Sequence, residues 1–209
     1  MKSYIVEFIG TFFLVLVIGL TVIDPGASQF APLAIGGVLM VMIYAGGHIS
    51  GGHYNPAVTL AVWMRGKCPA KDVMPYMLSQ IAGAAVAALF VGFLKPDAMT
   101  VPGSPDPIRA LFAEILFTFA LCYVVLQVAT SAKTAGNHYF GIAIGFTVFA
   151  GVCAVGGISG AALNPAVAIG VLMMGLSTAG SIWIFLVGNF AGAALAAMVY
   201  KAVNSGEGR

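Results

Sequence analysis

Charge is what this chain lacks. Only 8% of its 209 residues are Asp, Glu, Lys or Arg, where a soluble domain carries about 25%. So few charges cannot cover a water-facing surface, which excludes a soluble globular protein. A formal net charge of +2 excludes the basic footprint of a nucleic-acid binder. Cysteine is scarce too. Cys68, Cys122 and Cys153 are an odd number with no metal-ligand spacing, so they read as small membrane-embedded hydrophobes. The ten methionines form no cluster with His or Cys that would pass a soft metal. No hydrolytic or redox constellation is present, so no enzyme and no cofactor are expected. Met1-Lys2-Ser3 runs straight into an apolar stretch without a small-residue cleavage site, so no cleaved leader is expected.

Apolar residues, 60% of the chain, are what is there instead. They fall into six runs near the ~20 residues that a bilayer requires: residues 4–23, 32–47, 74–94, 108–130, 138–155 and 181–203. Breakers separate them. Asp24-Pro25-Gly26 ends the first, Lys95-Pro96-Asp97 the third, and Asp106-Pro107 places Asp at an N-cap and Pro at the first helical position of the fourth. The tail 204–209 is polar. With the amino terminus inside the cell, Lys2, Arg65, Lys67, Lys71, Lys133, Lys201 and Arg209 collect on the cytoplasmic side. Only Lys95 and Arg109 fall outside. That bias predicts a multi-pass protein of the cell membrane with both termini cytoplasmic.

The chain also repeats itself. Ser50-Gly51-Gly52-His53-Tyr54-Asn55-Pro56-Ala57-Val58 returns as Ser159-Gly160-Ala161-Ala162-Leu163-Asn164-Pro165-Ala166-Val167. After each Asn-Pro-Ala comes an apolar stretch, 56–64 and 165–174, half the length needed to span. Three spans separate the copies, so they enter from opposite faces, giving inverted repeats over about 4–94 and 108–203 of a single membrane domain, residues 1–209. The repeat extends to Glu7 and Glu114, and to Gln80-Ile81-Ala82-Gly83-Ala84-Ala85 and Asn189-Phe190-Ala191-Gly192-Ala193-Ala194, whose small residues suit close helix crossing.

Two half-helices with Asn55 and Asn164 at their N-caps aim their positive ends at a common centre. The Asn carbonyls should cap backbone N–H groups, leaving the NH2 groups free as donors. Such a centre repels cations and suits small neutral molecules with an acceptor atom. The irregular segments 51–53 and 160–163, which include Gly160, Ala161, Ala162 and Leu163, should offer carbonyls along the path.

The doubled Ser-Gly…Asn-Pro-Ala, the paired glutamates, the inverted six-span repeat and the Ala-Gly-Ala-Ala elements together resemble the aquaporins of the major intrinsic protein family. The resemblance covers residues from about 4 to 200. It implies an all-α bundle of six membrane helices and two re-entrant half-helices, a homotetramer, and one pore per subunit for water and small neutral solutes. The short loops and 47–59 look like the bacterial water-channel branch. The glycerol-facilitator branch has Asp where this chain has Ala168.

Carried over position by position, the family's narrow filter falls on Ile35, Val152, Ala161 and Val167. Most of the family has Arg where this chain has Val167, and its water channels usually have Phe and His where this chain has Ile35 and Val152. The expected filter is therefore apolar, and it points beyond water to glycerol, urea, ammonia or gas. Val167 has an alternative reading as a packing residue. His53 resembles a family histidine lining the cytoplasmic half of the pore, with a loop anchor as the alternative. His48 reads as packing and His138 as a solvated helix start. Glu7 and Glu114 resemble the family's loop-bracing carboxylates, whereas a carboxylate in an apolar span would otherwise suggest a proton relay. A secondary transporter or a closed structural protein are the competing functions.

Overall fold

The computed structural model describes residues 1–206. Glu207, Gly208 and Arg209 of the polar tail lie outside the described residues. Eight α-helices are present among the described residues: α1 Lys2–Val22, α2 Ala31–Ser50, α3 Pro56–Met64, α4 Ala70–Leu94, α5 Pro107–Ala129, α6 Phe140–Ser159, α7 Pro165–Met173 and α8 Ile182–Val203. Six are long and apolar enough to cross a bilayer, and no strand occurs among the described residues. α3 and α7 are the two short ones, and each starts with Pro directly after an Asn N-cap. Asp106 caps α5 by accepting from Arg109 N at 2.9 Å.

Helix ends differ from the apolar runs in a consistent way. The runs end at 47 and 155, but α2 and α6 continue to Ser50 and Ser159. Unpaired backbone is costly in hydrocarbon, so the helix persists through the glycine pairs. It stops where Gly51 (φ 91) and Gly160 (φ 89) turn left-handed, each N–H bonding back to Gly47 O and Gly156 O. α4 begins earlier than its apolar run, at Ala70, because Lys71 and Asp72 are helical although polar.

α1 packs on α4, α5 on α8, and α2 on α6. The last pair crosses at Gly36 and Gly145. A Cβ on Gly36 would stand 2.6 Å from Gly145 O, and one on Gly145 would stand 2.5 Å from Gly36 O. The contact is reciprocal, as expected where two copies of one repeat meet. The outward faces carry exposed apolar residues such as Leu78, Leu89, Phe93, Phe112, Leu116 and Phe146, a surface for lipid. His48 is exposed, not packed, because Ile43, Gly46 and Ser50 take the inner face of α2. His138 is exposed just before α6, as read. Cys68 sits in the connection after α3 and not in a span, Cys122 is buried in α5, and Cys153 is exposed.

Candidate functional site

Each re-entrant segment hangs on one buried carboxylate. Glu7, on α1, is fully buried. Its Oε1 accepts from Ser50 Oγ at 2.6 Å and His53 N at 2.9 Å. Its Oε2 accepts from Tyr54 N at 2.6 Å and Gln80 Nε2 at 2.7 Å. Glu114, on α5 and equally buried, repeats the pattern. It accepts from Ser159 Oγ at 2.7 Å, Ala162 N at 3.0 Å, Leu163 N at 2.8 Å and Asn189 Nδ2 at 2.7 Å. Four donors saturate each carboxylate, which is what lets it stay in an apolar bundle. The repeated Ser-Gly has its reason here: each Ser hydroxyl donates to the glutamate while accepting the next loop N–H, Gly52 N or Ala161 N, both at 3.0 Å.

The carboxylate clamps hold a strained backbone. Tyr54 (φ 47) and Leu163 (φ 50) are left-handed without being glycine, a conformation that persists only when its surroundings enforce it. Both turn their carbonyls to the centre. Asn55 Nδ2 donates to Leu163 O, and Asn164 Nδ2 to Tyr54 O, both at 2.9 Å. The side-chain oxygens cap Ala57 N at 2.8 Å and Ala166 N at 2.9 Å. The expectation of wholly free NH2 groups therefore needs correction. One hydrogen of each amide ties the opposite loop, and one remains. One carbonyl expected to serve as an acceptor along the path, that of Leu163, is likewise already occupied, and so is its repeat counterpart at Tyr54.

All ten residues singled out from the sequence border one cavity of about 420 Å³: Asn55 and Asn164, Ile35, Val152, Ala161 and Val167, His53, Gly160, Ala162 and Leu163. Its walls are branched aliphatics at helical spacing, Ile35, Leu39 and Ile43 on α2 facing Ile144, Val148 and Val152 on α6. Val167 is 4% exposed and borders this space. His53 borders the cavity, and its Nδ1 lies 3.1 Å from Thr59 Oγ1. Thr59 spends its own proton on Asn55 O at 3.0 Å and accepts from Gln80 Nε2 at 3.0 Å. Nδ1 of a neutral His53 must therefore carry the hydrogen, and Nε2 is left as an acceptor. Among the described residues no group of His, Cys, Asp and Glu could hold a metal.

Sequence reasoning missed Gln80 and Asn189 as loop supports and read them only as parts of a crossing motif. A lone amide inside an apolar span was the available signal. Tyr54 was missed as well. Its ring fills the space beside Gly10 and Gly46, and its hydroxyl donates to Met42 O at 2.9 Å.

A family model described as Major intrinsic protein matches residues 1–200. Aquaporin NIP1-4 of Oryza sativa subsp. japonica is 36% identical over 97% of this chain and 77% of its own length. Aquaporin AqpM of Methanothermobacter thermautotrophicus is 34% identical over 98% of both chains. Among solved structures, the aquaglyceroporin from Plasmodium falciparum superposes with a TM-score of 0.81 at 22% identity, covering 97% of this chain and 96% of that one, which is a likeness of fold. A buried Glu clamp on each loop, an Asn on each half-helix and this match over nearly the whole length agree, and the chain belongs to the major intrinsic protein family, the aquaporins, as a multi-pass, non-enzymatic membrane channel for water and small solutes.

Proposed function

We propose that this channel passes small neutral solutes beyond water, such as glycerol, urea, ammonia or dissolved gas, through an apolar filter of Ile35, Val152, Ala161 and Val167. The observation that carries the reading is Val167. It borders the cavity where most relatives would be expected to carry Arg, so no cation narrows the path and no guanidinium donates to the passing solute. Water meets few partners there, and larger or less polar molecules meet little hindrance. Exclusion of cations falls to the two half-helix N-termini that converge at Asn55 and Asn164. The chain is read as one channel domain, residues 1–209, built of repeats over about 4–94 and 108–203. It lies in the cell membrane with both termini cytoplasmic, on the charge bias described above, and as a homotetramer with a separate pore in each subunit.

The experiment is stopped-flow shrinkage and reswelling of reconstituted vesicles with glycerol, urea and ammonia. A low activation energy and no dependence on ion gradients support the reading. Saturating flux that requires a gradient would make the protein a secondary transporter, and flux equal to that of empty vesicles would make it a closed structural protein. Exclusion of all three solutes with brisk water flux would overturn the apolar-filter reading.

A further inference from the structure

The filter positions have counterparts on the other side of the Asn pair. Repeat equivalence converts Ile35, Val152, Ala161 and Val167 into Ile144, Ile43, Gly52 and Val58, and all four counterparts border the same cavity. The reciprocal Gly36–Gly145 crossing relates the two sets. Ile35 precedes Gly36, and Val152 lies about two turns beyond Gly145. Ile144 precedes Gly145, and Ile43 lies about two turns beyond Gly36. α2 and α6 run in opposite directions, so the first set faces the mouth remote from the termini and the second faces the mouth beside them.

The two halves of the cavity are unequal despite this symmetry. Remote from the termini it is bordered by the run from Gly156 to Gly160. None of the counterparts from Gly47 to Gly51 borders it among the described residues. The cavity extends along this run on one side and ends at Gly52 and His53 on the other. Where the longer side has Ala162, the shorter side has the larger His53. The His53 ring lies 5.2 Å from that of Tyr76, and its Nε2 would stand 3.2 Å from a Cβ on Gly51, so the ring occupies the end of the cavity beside the Gly51 turn.

We infer that the size limit of the channel lies at this second ring, Ile43, Gly52, Val58 and Ile144 together with His53, and not at the ring that holds Val167. The inference rests on the passive-channel reading. With Val167 and no Arg at the remote ring, the bulk of His53 at the near end of the cavity is what rejects large solutes. Removing bulk there should widen the range of solutes, whereas removing bulk at the remote ring should not.

Vesicles bearing His53→Ala or Ile35→Ala are compared with the parent for permeability to glycerol and the larger polyol erythritol. His53→Ala should raise the erythritol-to-glycerol ratio several-fold, and Ile35→Ala should leave it at the parent value. A rise in Ile35→Ala, with or without one in His53→Ala, overturns the inference while leaving the channel reading intact. So does an unchanged ratio in both. Polyol flux equal to that of empty vesicles in parent and variants overturns the reading of a filter that passes solutes beyond water, and the inference with it. Should His53→Ala not fold, Ile144→Ala removes bulk from the same ring without touching the loop and is judged by the same ratio.

Discussion

Asn55 and Asn164 each hold the loop that carries the other. Asn55 donates to the carbonyl of Leu163, the residue before Asn164, and Asn164 donates to the carbonyl of Tyr54, the residue before Asn55, both at 2.9 Å. The pair is a cross-brace as well as a source of donors, so a change at either residue acts on both half-helices.

Asn55→Asp or Asn164→Asp replaces a donor by an acceptor opposite a carbonyl and puts negative charge where two helix N-termini meet. Neutral-solute flux should fall and monovalent cations should begin to leak. Planar-bilayer currents together with vesicle shrinkage measure both. Unchanged flux with no current in either variant would remove the pair from the mechanism.

Glu7→Leu should destabilise strongly. It strands Ser50 Oγ, His53 N, Tyr54 N and Gln80 Nε2, at about 1–3 kcal/mol for each buried donor left unpaired. Glu7→Gln keeps one acceptor oxygen but turns an NH2 toward donors, so it should fall between Leu and the parent. Thermal unfolding in detergent ranks the three, and an unfolding temperature for Glu7→Leu equal to the parent's would mean that the loop has other support.

Gly36→Ala drives a methyl to 2.6 Å from Gly145 O, whereas a Cβ on Gly37 meets nothing within 4 Å. Overpacking of this kind costs typically about 1–3 kcal/mol. Gly36→Ala should therefore lower the unfolding temperature and Gly37→Ala should not. Equal effects would mean that helix propensity and not the crossing governs both.

Val167→Arg adds a donor, bulk and a full positive charge beside the cavity. The water-to-glycerol permeability ratio should rise, chiefly through loss of glycerol flux. The same vesicle assay reads it, and an unchanged ratio would mean that the new guanidinium points out of the path.

Much of this was legible in the residues. Pattern is one-dimensional, and the six spans, the half-helices behind Asn55 and Asn164, and the Val in place of Arg at 167 are all patterns. The saturating environment of Glu7 was not legible, because Gln80 reaches it from a helix seventy residues away, and spacing says nothing about side-chain reach. The mutual tie of the Asn amides was missed for the same reason. That the His53 ring lies at the cavity wall beside Thr59 and Tyr76 was not legible either, because a lone histidine in a glycine-rich segment does not reveal its neighbours. Span ends were misjudged at Gly47 and Val155, where glycine pairs look like breakers although lipid rewards an unbroken helix.

The cross-brace also sets an order of assembly. During synthesis the first half is complete when α4 is made, yet the Asn55 amide and the Tyr54 carbonyl have no partners until residues 163 and 164 arrive. Lipid offers neither group a hydrogen bond. The first re-entrant loop must therefore stay wet, or stay out, until the second is threaded from the opposite face. Both half-helices then settle in one event, and neither repeat is a finished piece on its own.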